Sequence, residues 1–209
     1  MSRRGAYAKG IAKREEILTA ALDVVAAHGY RRASVRELAD AVGLSPAGLL
    51  HYFDSKEELF TAILRKRDEV DRQRYGAEGS DIGMLQSIIR HNATVPGLVQ
   101  LYTQLSAEAG DPDHPARVFF RQRTAHLEEI FCATVAQAQA RGEIRADLDP
   151  AWIATTLHAL SDGLQSLWLH DPEFDMAAHI DRFIDVLRPP SPAGPPDPTD
   201  APDPAGESS

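Results

Sequence analysis

The stretch Ser34-Val35-Arg36-Glu37-Leu38-Ala39-Asp40-Ala41-Val42-Gly43-Leu44-Ser45-Pro46-Ala47-Gly48-Leu49-Leu50-His51-Tyr52-Phe53 decides the fold. Ser34 with Glu37 three residues later forms a capping box, which predicts a short helix over 35–42 ending at Gly43. Ser45 is a second N-cap with Pro46 at the first helical position, predicting another short helix that runs to Tyr52. Ala39, four residues before the glycine, is small enough to let the two helices cross closely. Leu38, Val42, Leu44 and Leu49 supply an apolar wedge between them. Two short helices joined at a glycine are the helix-turn-helix arrangement, whose second helix enters the major groove of DNA.

Upstream, Ile17, Leu18, Ala21, Leu22 and Val25 fall on one stripe of a helix expected over 11–27, which His28-Gly29 closes. The ten residues before it carry Arg3, Arg4 and Lys9 without an acid and read as a flexible basic arm. Downstream, Ser55-Lys56-Glu57-Glu58 repeats the S-x-x-E box and opens a helix to Tyr75. A polar, glycine-containing break follows at 76–83. Helices are then expected at 82–94, 97–109, 115–141, 150–170 and 175–187, with Pro96, the 111–115 segment, Asp149-Pro150 and Asp171-Pro172 as punctuation. From residue 189 on, 8 of 21 residues are proline, which predicts a disordered, mildly acidic tail. No stretch alternates with period two, so the fold class is all-α, with about nine helices. The domains expected are an arm at 1–10, a DNA-binding domain at 11–75, an effector and dimerisation domain at 76–188, and the tail at 189–209.

The 209 residues carry 22 Lys+Arg and 31 Asp+Glu, a formal net charge of −9, which taken whole argues against a partner made of phosphate. The charge is unevenly divided. Residues 1–74 hold 14 basic and 11 acidic side chains, and residues 75–209 hold 8 and 20. The basic share coincides with the helix-turn-helix. No apolar run reaches the roughly 18 residues of a membrane span, and no apolar segment follows the N-terminal basic residues, so a cytoplasmic protein is expected. A single cysteine, Cys132, excludes an intrachain disulfide and a cysteine-based zinc site. The histidines show no H-x-x-x-H or H-E-x-x-H spacing, so neither metal nor cofactor is expected. Gly43-Leu44-Ser45-Pro46-Ala47 falls one residue short of a nucleophile elbow, which also needs a strand before its serine; Ser45 reads as a cap. No catalytic constellation appears, and the chain is not expected to be an enzyme.

From Ile11 to Phe60 the chain resembles the tetracycline-repressor (TetR) family of bacterial transcription regulators. The resemblance rests on His28-Gly29-Tyr30, Ser34 to Ala39, Gly43-Leu44-Ser45 and His51 to Leu59. It implies that Ser34, Arg36, His51, Tyr52 and Lys56 position the DNA backbone, and that Ser45, Ala47 and Gly48 face base edges. This chain has Leu50 where the family often has Tyr, and Gly48 where it often has Thr. One phosphate contact and part of the direct base readout are therefore weaker here, and specificity leans on Arg36, His51 and DNA shape. The basic arm would reach phosphate or the minor groove, as arms of other helix-turn-helix proteins do.

The resemblance further implies a homodimer joined by the last two helices, with Trp152, Leu160, Gly163, Leu167, Ile180, Phe183, Ile184 and Leu187 at the interface. It also implies an effector cavity among the middle helices. Met84, Ile88, His91, Leu101, Tyr102, Leu105, Phe120, Leu127, Phe131, Leu164 and Trp168 are its expected walls, a mostly apolar set that suits a hydrophobic or aromatic small molecule. The partners expected are thus a double-stranded, near-palindromic operator, such an effector, and a second copy of the chain, with repression as the outcome. Two other classes fit parts of the pattern. An architectural nucleic-acid-binding protein would show no preferred operator, and a helical enzyme or metabolite-binding protein would have to carry a DNA-reading motif without using it.

Overall fold

A computed structural model describes residues 3–29, 34–75 and 82–190. Among these residues there are nine helices and no strand: α1 (Arg3–His28), α2 (Val35–Ala41), α3 (Pro46–Leu50), α4 (Lys56–Tyr75), α5 (Ile82–Asn92), α6 (Pro96–Glu108), α7 (Arg117–Ala140), α8 (Pro150–His170) and α9 (Met176–Leu187). The polar caps work as the sequence suggests. Ser34 Oγ accepts from the Glu37 N–H while the Glu37 carboxylate accepts from the Ser34 N–H, at 3.2 and 3.0 Å. Ser45, Asp149 and Asp175 cap α3, α8 and α9 through the backbone N–H groups of Gly48, Ala151 and Ala178. The box at Ser55 is shifted by one: Ser55 Oγ accepts from Glu58 N–H, but the Glu58 carboxylate accepts from Asp54, one residue before the cap.

One expectation is corrected at the N-terminus. The segment 3–10 is the first part of α1, which begins at Arg3 and not at Ile11. Ala6, Ala8, Arg4 and Lys9 are good helix formers, no proline interrupts them, and Gly5 and Gly10 cost only about 1 kcal/mol each in a helix that is already nucleated downstream. The Pro-rich tail from residue 191, the Gly76–Asp81 part of the central break, and Tyr30 lie outside the described residues.

Two apolar cores organise the chain, and they do not divide at residue 75. The first joins α1, α2, α3 and α4 through Ile17, Leu38, Leu49, Phe53, Leu59 and Ile63. It continues into Leu98, Leu101 and Leu105 of α6 and Phe119 of α7. The second lies under α5, α7, α8 and α9. The seam between α1 and α6 is unusually tight. A Cβ placed on Gly97 would come within 1.9 Å of the Val25 carbonyl oxygen and 2.8 Å of Gly29 Cα, so only glycine fits there. Gly29 itself takes φ +78, the left-handed conformation that ends α1, and Gly43 takes φ +67 at the turn between α2 and α3.

The last two helices correct half of the expected interface. Ile180, Ile184 and Leu187 are buried in their own protomer's second core, with Met176. These four positions form the apolar stripe of α9, and α5 and α8 already cover it. Left on the outside are Trp152 and Leu167, 52% and 55% exposed, with Gly163 between them, half-buried Leu160 and Phe183, and the exposed Val186. On α8 the outward positions 152, 160, 163 and 167, of which 160 is half-buried, lie within about 80° of one another at 100° per residue. The buried positions 153, 157, 161, 164 and 168 occupy the adjoining arc, centred about 100° further round the helix.

Candidate nucleic-acid interface and internal cavity

The turn that sets α3 against α2 is closed by backbone bonds, Leu44 N–H to the Ala39 carbonyl at 2.9 Å and Gly43 N–H to Asp40 at 3.2 Å. Leu38, Ala39 and Leu49 are fully buried at the crossing, whereas Val42 and Leu44 are half-buried at its edge. This leaves Ser34, Arg36, Ser45, Ala47, His51 and Lys56 exposed on α2, α3 and the start of α4, with Gly48 and Tyr52 half-buried among them. His51 and Tyr52 meet edge to face with ring centres 5.9 Å apart. Ser45 Oγ accepts from Gly48 N–H at 3.0 Å, and a Cβ at Gly48 would lie 3.2 Å from that oxygen. Ser45 acts as a helix cap with no strand before it, so it is not a nucleophile elbow.

Sequence reasoning missed the residue that fixes α3 in place. Arg14, on α1, donates to the Tyr52 carbonyl at 3.1 Å and to the Glu58 carboxylate at 2.7 Å, and its guanidinium lies 4.5 Å from the centre of the Phe53 ring. One side chain thus ties α1 to the end of α3 and the start of α4. Glu58 was visible as part of a capping box, but nothing local announces a partner 44 residues away. Lys66 adds a second strap, pairing with Glu15 of α1 at 2.8 Å and with Glu69 at 2.9 Å. The Glu15 bond and then the Glu69 bond hold its ammonium above the usual lysine range.

Between α4, α5, α6, α7 and α8 lies a cavity of about 150 Å³. Of the expected walls, Met84, Ile88, Tyr102, Leu127 and Phe131 line it. Leu101 and Leu105 are buried in the first core and Leu164 and Trp168 in the second; Phe120 packs on the first core against Tyr102, and His91 lies against Tyr75. The surface the cavity presents is mostly apolar, as expected, but polar residues stand around it as well. Arg67, Asp68 and Asp71 of α4, Asn92, Arg123, His126, His158, Ser161, Asp162 and Gln165 all contribute.

These polar groups form a connected network. Arg123 grips both oxygens of Asp68, Nε to Oδ2 at 2.8 Å and Nη2 to Oδ1 at 3.2 Å, and Arg67 Nη2 donates to Oδ1 at 3.3 Å. Burial alone would push the Asp68 carboxyl up, but Arg123 and Arg67 outweigh it and hold the group below the ordinary range. Asp71 differs: burial raises its carboxyl more than Arg67 lowers it. Tyr102 donates to Asp162 Oδ2 at 2.9 Å, and burial raises its hydroxyl. Both guanidiniums lie over the Tyr102 ring, Arg123 at 4.8 Å and Arg67 at 5.2 Å from its centre. Among the described residues no group of three or more His, Cys, Asp or Glu could hold a metal ion. No helix among them is long and apolar enough to cross a membrane.

Comparisons with known proteins agree with this geometry. The profile of bacterial regulatory proteins of the tetR family matches residues 17–63, and that of the C-terminal part of BetI-type transcriptional repressors matches residues 84–189. The HTH-type transcriptional repressor AcnR of Corynebacterium diphtheriae is 26% identical over 175 residues, covering 84% of this chain and 89% of its own. The HTH-type transcriptional regulator UidR of Escherichia coli K12 is 28% identical over 155 residues, covering 72% and 79%. Among solved structures, a chain from Rhodococcus sp. assigned to the TetR family superposes with a TM-score of 0.66 at 28% identity, covering 85% of this chain and 98% of that one. A transcriptional regulator from Saccharomonospora viridis, solved with choline, gives 0.65 at 25% identity, covering 82% and 95%.

Proposed function

This chain belongs to the tetR family of bacterial regulatory proteins and is a DNA-binding transcriptional regulator, and from that premise we propose that it is a cytoplasmic, ligand-responsive repressor. It binds a near-palindromic operator as a homodimer and needs no catalytic step. Ser34, Arg36, His51, Tyr52 and Lys56 contact the DNA backbone, and Ser45, Ala47 and Gly48 approach base edges. Two copies joined through the exposed face of α8, with Trp152, Gly163 and Leu167, and through Phe183 and Val186 of α9 present two recognition helices. These enter major grooves roughly 34–36 Å apart, or a multiple of that.

The observation that carries the reading is the course of α4. One end bears Lys56, exposed beside α3, and Arg67, eleven residues on, stands in the cavity wall. At 1.5 Å per residue the two are about 16 Å apart along one rigid element. A small molecule that prefers a cavity shape incompatible with the groove spacing shifts the population toward the released state. The cavity suits a ligand on the order of six to nine non-hydrogen atoms, since a void of about 150 Å³ accepts benzene.

The test is a binding assay at fixed salt on the DNA upstream of the chain's own gene against random duplex of the same length. Preference for the upstream DNA of roughly a thousandfold or more is expected for a specific regulator. Equal affinity for both, falling steeply with salt, would instead indicate an architectural protein.

A further inference from the structure

Resting on the assignment of the cavity as effector site, we propose that the effector is an amphipathic monocarboxylate, an aryl or short alkyl body carrying one carboxylate that sits against Arg67. Arg67 is only 6% exposed and lines the cavity. Of its nitrogens Nη2 alone makes a hydrogen bond, to Asp68, while Nε and Nη1 have no hydrogen-bond partner in the protein. Nε stands 3.8 Å from Asp71 Oδ2, an ion-pair distance too long for a hydrogen bond. A buried guanidinium with unused donors is costly, and beside a cavity the group that relieves it is an acceptor from outside the chain.

The neighbouring carboxylates do not fill that role. Asp68 is gripped by Arg123, and Asp162 accepts from Tyr102. A second orphan lines the same cavity: His158 Nε2 has no hydrogen-bond partner and lies 3.8 Å from Asp162 Oδ2. These orphaned nitrogens are sealed beneath neighbouring side chains, so an arriving carboxylate must draw the guanidinium toward itself, and that pull acts directly on α4. The rest of the ligand meets different chemistry. Met84 and Ile88 of α5 with Leu127, Ile130 and Phe131 of α7 offer an apolar wall for a ring or short chain.

Calorimetric titration of the full chain without DNA decides the matter, with benzoate, hexanoate, benzamide and choline as probes. Benzamide matches benzoate in shape and lacks only its charge. Benzoate or hexanoate should bind at least about tenfold more tightly than benzamide, with choline weaker than either acid. Benzamide or choline binding as tightly as the acids, or no heat from either acid, overturns the proposal. Arg67→Met should abolish the preference for benzoate over benzamide, and Arg67→Lys, which keeps a charge and is the milder change should the first not fold, should reduce it. A preference unchanged in a folded variant counts against Arg67. Operator binding separates this inference from the function it rests on. Benzoate that binds without affecting operator affinity sinks the effector assignment and leaves the ligand class standing. Release by benzamide as effective as by benzoate does the reverse.

Discussion

The two ends of α4 are built on opposite terms. Toward its start the helix buries Leu59, Phe60, Thr61, Ala62, Ile63 and Leu64, and the polar side chains of α2, with Ser45 and His51 flanking α3, face outward; further along it buries Arg67 and Asp71. In the second region buried polar side chains recur, with Asn92, Ser161 and Gln165 bonded to one another or to backbone. An apolar interior with a polar exterior gives a rigid block that meets its partner at the surface. A polar interior around a cavity stores interaction capacity inside, where only a small molecule can reach it. The difference separates a part that reads DNA from a part built around a cavity.

The contrast can be broken first at the seam. Gly97→Ala forces a Cβ against the Val25 carbonyl and should cost about 4 kcal/mol, above the common range for overpacking, because the obstacle is backbone that cannot rotate away. Thermal unfolding checks this, with Gly10→Ala as control, since a Cβ there meets nothing within 4 Å and lies outside the proposed dimer face. Next, Leu49→Ala empties the fully buried centre of the α2–α3 crossing. A loss of about 3 kcal/mol in urea unfolding is expected, with operator affinity falling in step.

The interior of the second region is sharpened by acid. The Asp68 carboxyl is held low in the folded chain, so its contribution is present above its unfolded value of about 3.9 and lost as pH falls through the folded one. Urea midpoints should therefore drop below about pH 4, and Asp68→Asn should lower stability at neutral pH while flattening that acid limb. Asp71, with its carboxyl raised, works in the opposite sense and recovers stability as it protonates. The smallest effect belongs to the surface of the first region. Arg36→Ala should leave the unfolding midpoint within about 0.5 kcal/mol and reduce the salt slope of operator binding by about one, read from affinities at several salt concentrations.

Much of this was legible in the chain itself. Proline and the S-x-x-E boxes place helix starts within about two residues, because caps are local chemistry, and the Ser34 and Ser45 caps form as the spacing suggests. The DNA-contact positions proposed on α2 and α3 come instead from the resemblance to the family, since caps alone do not say which exposed side chains meet DNA. What hydropathy could not say is which of two neighbours an apolar stripe faces. Ile180, Ile184 and Leu187 mark a stripe correctly, yet α5 and α8 of the same chain cover it. The polar wall of the cavity was hidden for the converse reason. Arg67 and Asp71 sit in a run dense in charge that reads as solvated surface, although positions 60, 63, 64, 67 and 71 keep one helical face. That continuation of an apolar stripe by charged residues was the available signal. Arg14 had none, since its partners come from distant sequence.

The approach of Gly97 to Val25 has a mechanical consequence. Tyr102, in the cavity wall, lies five residues along α6 from that glycine, so the helix that senses the cavity is seated by bare main chain on the helix that frames the DNA-reading pair. A joint of side chains has slack, because rotamers can shift to absorb a displacement. A joint of two backbones has no such play. Movement of α6 larger than a few tenths of an ångström must carry α1 with it, and through Arg14 the end of α3. Two stiff struts, α4 and α6, thus meet on a common beam, α1, and on the reading proposed above a change in cavity shape would reach α3 through that beam.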